Sequence, residues 1–346
     1  MNLFETLKDM ASTPGVSGYE DRVARVIAEA FEGVGDRVEI DRMHNVIVAK
    51  GNKGPRIMVT AHQDEIGLMV RDIEKDGCLR VTNVGGLPAR VLPASEVIVH
   101  AAGGDLFGVV GAKPPHLLSE EDRKQAVQMK DVYIDIGFDE EKARALVRIG
   151  DVVTMKADLM QLQGSRVTGK AMDDRCAVIS MLVAAEELSR YHCDAQVAFV
   201  SAAQEEPGCR MAHAAAFTLE PDLAIVVDVT HAETPGTTAF ETVPLNKIAI
   251  AVGPNMHPAM SKRLMRVADK NHIGYTVEPC GHATATDARA IQITGTGIAT
   301  LLIGIPLKYM HSSVELIDMD VVEEVGRLIA LFIEDVARDW EDIKWN

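Results

Sequence analysis

The chain has 346 residues, of which 47% are hydrophobic, and a formal net charge of −16 at pH 7. This length exceeds the usual size of a single hydrophobic core, so we expect two domains. An acidic chain without a basic stripe is not typical of a nucleic-acid-binding protein, so we expect no nucleic-acid partner.

The N-terminal segment MNLFETLKDMASTPG lacks the basic and apolar regions of a signal peptide. No apolar stretch of the sequence is long and uninterrupted enough to span a bilayer. The five cysteines are scattered and none forms a C-x-x-C pair, which indicates reduced thiols. These features predict a cytoplasmic protein without a membrane partner.

Residues 1–66 are predicted to contain two helices followed by three strands. A short helix comes first, and the spacing of Val23 and Ile27 predicts a second one. Ser17 and Glu20 have capping-box spacing and predict the start of that helix. The strand-like segments RVEID and NVIVAKG follow, and then the apolar run of PRIMVTAHQDEIG predicts a strand that is covered on both faces.

Residues 67–160 have short alternating strands and glycine-rich turns. Hairpins are predicted about Asp76-Gly77 and Gly103-Gly104, and the segment DEEKARALVRIG predicts one helix. We therefore expect a small β-rich, barrel-like domain at this point of the chain.

Helices and strands alternate after residue 160, with the helix DDRCAVISMLVAAEELSRY and the strand AQVAFVSAA. Such alternation predicts an α/β fold with a largely parallel sheet and helices on both faces. Residues 1–66 and 161–346 are predicted to form this α/β domain, into which residues 67–160 are inserted.

Side chains that can bind metal ions lie at the ends of the apolar runs or just beyond them, or in the loop before a helix. They are His62, Asp173, Glu205, Glu206, Asp228 and His311. Ligands bind outside the carboxyl ends of the strands in open α/β sheets. We therefore expect these side chains to converge on one crevice.

Each of these residues taken alone has a structural interpretation. Asp173 could cap the following helix, either histidine could be structural, and Asp228 could belong to a turn. The adjacent Glu205 and Glu206 could form a solvated strand end. Their common position at one edge of the predicted sheet favours a metal site.

Histidine and carboxylate ligands without cysteine are typical of Zn²⁺, Co²⁺ or Mn²⁺ sites. Two metal ions need a bridging carboxylate, whereas a single ion would not need so many ligands. Asp64 lies two residues after His62, so both side chains lie on one side of an extended chain. Asp64 is thus placed to accept a ring N–H of His62 and to fix its orientation.

Five ordered segments carry a specific resemblance, namely TAHQDEIGLMV, GKAMDDR, QEEPGCRMA, VDVTHAETPG and YMHSSVE. They resemble metallopeptidase family 42, which contains glutamyl, deblocking and tetrahedral-shell aminopeptidases. The segments GVVGAKPPHLL and DVYIDIGFD extend the resemblance over nearly the whole chain. The resemblance implies a zinc-peptidase fold whose inserted domain builds dimers, and a homo-oligomer in which dimers assemble into a hollow dodecamer.

The resemblance also implies a ligand set for two divalent metal ions per subunit, zinc in the first place, with cobalt or manganese as alternatives. Asp173 would bridge the two ions. His62 and Asp228 would complete the ligands of one ion, and Glu206 and His311 those of the other.

Two further roles are implied for a metal-dependent aminopeptidase that removes N-terminal residues from short peptides. Glu205 would be the general base, and Asp64 would orient His62. Where the family often has a GGTDA loop, this chain has GHATATDAR, with His282, Ala283 and Thr284 as departures. We expect this loop to border the substrate pocket and to affect which N-terminal residue is preferred.

Two other functions are compatible with a carboxylate-rich site. A glycoside hydrolase of the endoglucanase type needs two carboxylates that flank a sugar, roughly 5–9.5 Å apart. The adjacent Glu205 and Glu206 beside a metal cluster match that arrangement poorly. A non-catalytic metal-binding shell protein would be expected to lack the base or a ligand, and every expected position is filled.

Overall fold

This computed structural model describes residues 2–191, 193–343 and 345 of the chain. The helices are α1 (Leu3–Ser12), α2 (Asp21–Phe31), α3 (Glu140–Leu146), α4 (Met172–Leu188), α5 (Met211–Leu219), α6 (Pro258–Lys270), α7 (Asp287–Gln292) and α8 (Met319–Arg338). Among the described residues, no helix combines the length and the apolar character needed to cross a membrane.

The strands fall into three sheets. They are β1 (Arg37–Ile40), β2 (Val46–Lys50), β3 (Arg56–His62), β4 (Gly67–Ile73), β5 (Leu79–Val84), β6 (Glu96–Ala101), β7 (Gly104–Ala112), β8 (Val132–Asp135), β9 (Val152–Met155), β10 (Met160–Gln161), β11 (Arg166–Gly169), β12 (Gln196–Ala202), β13 (Leu223–His231), β14 (Ile248–Val252), β15 (Tyr275–Pro279), β16 (Ala299–Leu307) and β17 (Glu315–Asp318). The smallest sheet consists of β10, β11 and β17.

The largest sheet has eight strands in the order β1-β2-β12-β3-β13-β16-β14-β15. Its central strands β12, β3, β13 and β16 are parallel, whereas β14 runs antiparallel to β16. Residues of α1, α2, α4, α6 and α8 form the core on one face, and residues of α5 and α7 pack on the other. The predicted α/β fold with a mixed, largely parallel sheet is confirmed.

A closed six-stranded barrel follows the order β4-β5-β8-β7-β6-β9. It has its own apolar core, which includes Leu68, Val97 and Ile134. Both predicted hairpins are present, because β4 pairs with β5 and β6 with β7 in antiparallel registers. The predicted barrel-like structure is therefore confirmed.

The predicted capping box at the start of α2 is wrong. Glu20 is the N-cap residue and makes no side-chain cap hydrogen bond. Ser17 Oγ instead donates to Asp64 Oδ2 at 2.5 Å. A buried carboxylate distant in sequence has replaced the local partner that the spacing suggested, because a charged acceptor forms the stronger hydrogen bond.

A buried ion group joins the start of the chain to α4. Glu65 Oε2 accepts a hydrogen bond from Lys170 Nζ at 2.7 Å, and Glu65 Oε1 accepts one from Arg175 Nη2 at 3.2 Å. Arg175, which is fully buried, also donates from Nη1 to the carbonyl oxygens of Met10 and Thr13 at 2.5 and 2.7 Å. The opposite charges and the carbonyl acceptors make this burial tolerable.

Candidate metal centre

The six predicted metal-competent residues and Asp64 come together at the carboxyl edge of the parallel strands. His62 is the last residue of β3, and Asp173 is in the first turn of α4. Asp228 does not end its strand as predicted, because β13 continues to His231. Asp228 lies three residues before the end of this central strand, where it is buried.

Asp173 lies between two histidines. Its Oδ1 is 3.0 Å from His62 Nε2, and its Oδ2 is 3.2 Å from His311 Nε2. The two oxygens of one buried carboxylate therefore face two different imidazole rings. A carboxylate that bridges two metal ions would need such a position between two sets of ligands.

Two groups of potential ligands share Asp173. Ligand atoms of His62, Asp173 and Asp228 lie within 4.8 Å of one another, and so do those of Asp173, Glu206 and His311. Both groups contain only imidazole nitrogen and carboxylate oxygen, which are typical ligands of Zn²⁺, Co²⁺ and Mn²⁺.

The ring tautomers test whether these residues fit a metal ion. His62 Nδ1 faces the Asp64 backbone carbonyl oxygen at 3.1 Å, and His311 Nδ1 faces that of Gly86 at 3.1 Å. A carbonyl only accepts, so each Nδ1 must carry a proton, and each neutral ring then turns its Nε2 lone pair toward Asp173. Two acceptors face each other at hydrogen-bond distance only when a cation or a proton lies between them, so the residues fit a metal ion.

Without a metal ion, a proton takes the place of that cation between Nε2 of His62 and Asp173. Burial disfavours the charged ring of His62, yet hydrogen bonds with Asp173 and Asp64 raise its pKa well above the usual value. Burial and the nearby charge of Glu205 raise the pKa of Asp228 well above its usual value. The cluster therefore carries more negative charge than its own side chains neutralise, which a divalent cation would offset.

Asp64 fixes the turn that carries the two glutamates. Its Oδ1 accepts the backbone N–H of Glu205 at 2.9 Å, and its Oδ2 accepts that of Glu206 at 3.2 Å. The His62 ring also lies beside it, with Nδ1 at 3.4 Å from Asp64 Oδ1. Nδ1 of His62 therefore lies closer to the backbone carbonyl oxygen of Asp64 than to the carboxylate that was predicted to accept its proton.

Glu205 and Glu206 point to different neighbours. Glu206 Oε1 is 3.4 Å from His311 Nε2, whereas Glu205 Oε2 is 4.0 Å from His62 Nε2 and Glu205 Oε1 accepts from Cys209 Sγ at 3.0 Å. Strand alternation is not the cause, because β12 ends at Ala202 and both glutamates lie beyond it. The backbone turn held by Asp64 separates them instead.

The sequence analysis missed Glu315, which is buried behind two of the candidate ligands. Its Oε2 accepts the backbone N–H groups of Met172 and Asp173 at 2.8 and 3.2 Å, and its Oε1 accepts that of His311 at 2.8 Å. Burial and the nearby charge of Asp173 raise the pKa of Glu315 to about 8. Its position four residues after His311 in HSSVE was the available signal.

The barrel also contributes to the site through the segment after β5. A Cβ atom at Gly86 would lie 2.7 Å from Nδ1 of His311, so the ring packs directly on the glycine backbone. Gly85, with a φ of +71°, lies against Glu206. Glycine is required at both positions because the backbone approaches two side chains closely.

An open cleft of about 650 Å³ lies over the two ligand groups. Its outer wall includes Glu278, His282, Thr284, Arg289 and Met310. The departing residues His282, Ala283 and Thr284 all line it, as the sequence analysis expected of that loop.

Comparison with known proteins decides the family. The family model described as M42 glutamyl aminopeptidase matches residues 44–328, which include all the candidate site residues. The chain belongs to the M42 glutamyl aminopeptidase family. This match confirms the predicted resemblance. The protein is therefore a member of a family of peptide hydrolases.

Relatives and solved structures agree with membership of the M42 family. The lysyl aminopeptidase of Pyrococcus furiosus is 36% identical over 96% of this chain and 97% of its own. The structure of a TET aminopeptidase from a marine sediment Thaumarchaeota archaeon has a TM-score of 0.91 at 29% identity and covers 96% of both chains. The TET1 peptidase of Pyrococcus horikoshii has a TM-score of 0.85 at 32% identity, covering 96% of this chain and 99% of its own.

Proposed function

We propose that this member of the M42 family is a metal-dependent aminopeptidase that uses two divalent metal ions per subunit. The observation that carries the proposal is the placement of Asp173, whose two oxygens face His62 and His311 at 3.0 and 3.2 Å. A single shared carboxylate between two ligand groups is expected of a two-metal site.

The ligand groups support an assignment of each residue. His62, Asp173 and Asp228 would hold one ion, and Asp173, Glu206 and His311 the other. We propose zinc, with cobalt and manganese as alternatives, because the donors are imidazoles and carboxylates. When bound, the ions would lower the pKa of a water molecule to near neutrality and polarise the scissile carbonyl.

Glu205 is the proposed general base. It belongs to neither ligand group, it borders the cleft, and its Oε2 lies 4.0 Å from His62 Nε2. Its carboxylate would take the proton of the attacking water and pass it to the leaving amine. Asp64 would hold Glu205, Glu206 and His62 in register through the hydrogen bonds described above.

The proposed substrates are short peptides with a free N-terminus, from which the enzyme would remove one residue at a time. Glycoside hydrolysis is less well supported, because Glu205 and Glu206 lie in one turn, with their backbones held by the same carboxylate, Asp64. Carboxylates on opposite sides of a sugar would be expected instead.

We also propose a cytoplasmic homo-oligomer. The related TET1 peptidase is described as assembling into a tetrahedron or a large octahedral shell, and another structure of it as a dodecamer. Residues 67–160 would form the dimerisation domain inserted between residues 1–66 and 161–346, and dimers would assemble into a dodecamer. Exposed Phe107 and Val109 on β7 of the barrel support a contact there.

The decisive experiment removes all metal with a chelator and restores Zn²⁺, Co²⁺ or Mn²⁺ one at a time. A panel of aminoacyl chromogenic substrates would identify the preferred N-terminal residue, and N-acetylated versions would be the matched control. We expect hydrolysis of free-amine substrates only, lost on chelation and restored by metal. Chelator-insensitive hydrolysis would exclude the proposal, and mass measurement in solution would test the assembly.

A further inference from the structure

A third group of potential ligands lies beside the proposed base. One carboxylate oxygen of Glu205, the Cys209 sulfur and one carboxylate oxygen of Asp287 lie within 4.8 Å of one another. Cys209 and Asp287 are almost fully buried, with 4% and 2% of their surfaces exposed. The group thus joins a thiol and two carboxylates at the wall of the cleft.

Asp287 is the unexplained member of this group. Among the described residues, its Oδ1 is buried and has no hydrogen-bond partner. A buried carboxylate oxygen without a partner is costly, and such groups are normally paired with a donor or a cation. The neighbouring groups are another carboxylate and a thiol, so Asp287 is better suited to share a cation with them than to remain alone.

We propose that Glu205, Cys209 and Asp287 form a third metal site, which binds a thiophilic divalent cation such as Zn²⁺ when metal is in excess. The inhibitory effect of this site rests on the proposed function, because an ion held there would occupy the general base Glu205. Excess zinc would therefore switch off hydrolysis without displacing the two proposed catalytic ions.

The orientation of Glu205 allows it to act either as a free general base or as a ligand of the third ion. Its Oε2 lies on the side of His62, at 4.0 Å from Nε2, and its Oε1 lies on the side of Cys209, at 3.0 Å from the sulfur. A cation between Cys209 and Asp287 would replace the thiol proton, which passes to solvent, and would bind Oε1. The carboxylate would then no longer be free to accept a proton from water.

The chemistry of the ligands separates this site from the other two. The proposed catalytic groups contain no sulfur, whereas the third group offers one thiolate and two carboxylates. Thiolate ligands favour Zn²⁺ over Mg²⁺, Ca²⁺ or Mn²⁺. The hydrogen bond from Cys209 to Glu205 must be broken and the thiol proton released, so we expect weaker binding here than at the two catalytic sites.

Cobalt provides a specific reporter, because Co²⁺ bound to a thiolate shows a ligand-to-metal charge-transfer band in the near ultraviolet. The metal-free full-length protein would be titrated with Co²⁺, and the absorbance, bound metal and peptide hydrolysis would be followed together. Cys209→Ser and Asp287→Asn test the site. Cys280→Ser is the matched control, since Cys280 lines the same cleft but is outside the ligand group.

We expect the charge-transfer band to rise only after the first two equivalents, to disappear in Cys209→Ser and to persist in Cys280→Ser. Asp287→Asn should shift the band to at least tenfold higher Co²⁺. In parallel titrations with Zn²⁺, the midpoint of inhibition, relative to each variant's own uninhibited rate, should rise at least tenfold in Cys209→Ser.

The opposite results would overturn the third site. These are the absence of a band in the wild type, a band that survives in Cys209→Ser, or a band lost in Cys280→Ser. A band that appears without any loss of hydrolysis would overturn the inhibitory role. If the protein hydrolyses no peptide, the proposed function fails, while the band and the bound metal still decide the third site.

Discussion

Asp64 Oδ1 accepts the backbone N–H of Glu205 at 2.9 Å, while its Oδ2 accepts that of Glu206. Asp64→Asn would place an amide donor opposite one of these N–H groups and would weaken the turn. Residues that orient ligands typically contribute about 10–100-fold to metal affinity or activity. We expect a loss of that size in kcat/KM, and Asp194→Asn, at an exposed position, should show none. Equal kcat/KM in the two variants would contradict the role of Asp64.

The division of labour between Glu205 and Asp173 predicts different losses on substitution. Glu205→Gln should keep both metal ions but lower kcat about 10²–10⁴-fold, because a general base contributes about that much. Asp173→Asn should lose metal, since Asp173 belongs to both ligand groups. Elemental analysis of the dialysed proteins, beside kcat, separates the two effects. Equal metal loss in both variants would remove the distinction between base and ligand.

Glu315 is expected to act through the two ligands whose backbones it holds. Glu315→Gln keeps the shape of the side chain but replaces one of its two accepting oxygens with an NH2 donor, so it cannot accept the N–H groups of both Asp173 and His311. We expect about 10–100-fold weaker metal binding. Competition with a coloured chelator measures this affinity, and Glu323→Gln on the exposed side of α8 serves as the control. Equal metal affinity in the two variants would show that Glu315 does not position the candidate ligands Asp173 and His311.

The buried ion group predicts a large loss of stability. Glu65→Ala would leave Lys170 and Arg175 buried without their carboxylate, which costs about 3–5 kcal/mol of unfolding free energy. Glu74→Ala, which breaks a partly exposed pair with Arg80, should cost no more than about 1 kcal/mol. Urea denaturation of the metal-free proteins measures both. A similar urea midpoint for the two variants would show that the buried ion group of Glu65 stabilises the fold no more than the partly exposed pair of Glu74 does.

Glu20 predicts a dependence of stability on pH. Burial raises the pKa of Glu20 from 4.5 to about 7, so the folded state holds its proton where the unfolded state has lost it. Unfolding then releases a proton, and the Glu20 contribution to the free energy of unfolding falls as pH rises from about 4.5 to about 7. Glu20→Gln has no such proton, so its stability relative to the wild type should rise across that window and level off above it.

Urea midpoints of the metal-free wild type and Glu20→Gln at several pH values provide the measurement. A stability difference that stays constant with pH would show that Glu20 ionises normally. Gln retains an oxygen that can accept the backbone N–H groups of Gly18 and Gln204, so the comparison isolates the charge.

The strands that carry the site could be predicted, because β3, β12 and β13 are apolar runs buried on both faces. The buried polar groups that hold the site residues in place could not be predicted. Glu315 lies close to His311 in sequence, but its other partners, Met172 and Asp173, are far away along the chain. Local spacing shows which residues are near one another on an element and says nothing about which distant backbone they reach.

Ser17 and Cys209 illustrate the same limit. Ser17 has the spacing of a capping residue, but its hydroxyl group is used by Asp64 on another element. Cys209 was interpreted only as a reduced thiol, although the fold turns it onto Glu205. In both cases the partner is a buried carboxylate, whose need for donors outweighs local preferences. Domain boundaries and the roles of the site residues stay predictions.

The contact between Gly86 and His311 limits how this protein can be rebuilt. A carbonyl of the segment after β5 fixes the ring of a proposed metal ligand at 3.1 Å, and a side chain at Gly86 would displace that ring. A chimera that exchanges the barrel for one from another protein would therefore disturb the proposed metal centre unless it keeps the two glycines. Exchange of the barrel without Gly85 and Gly86 should therefore give a protein that folds but binds metal poorly.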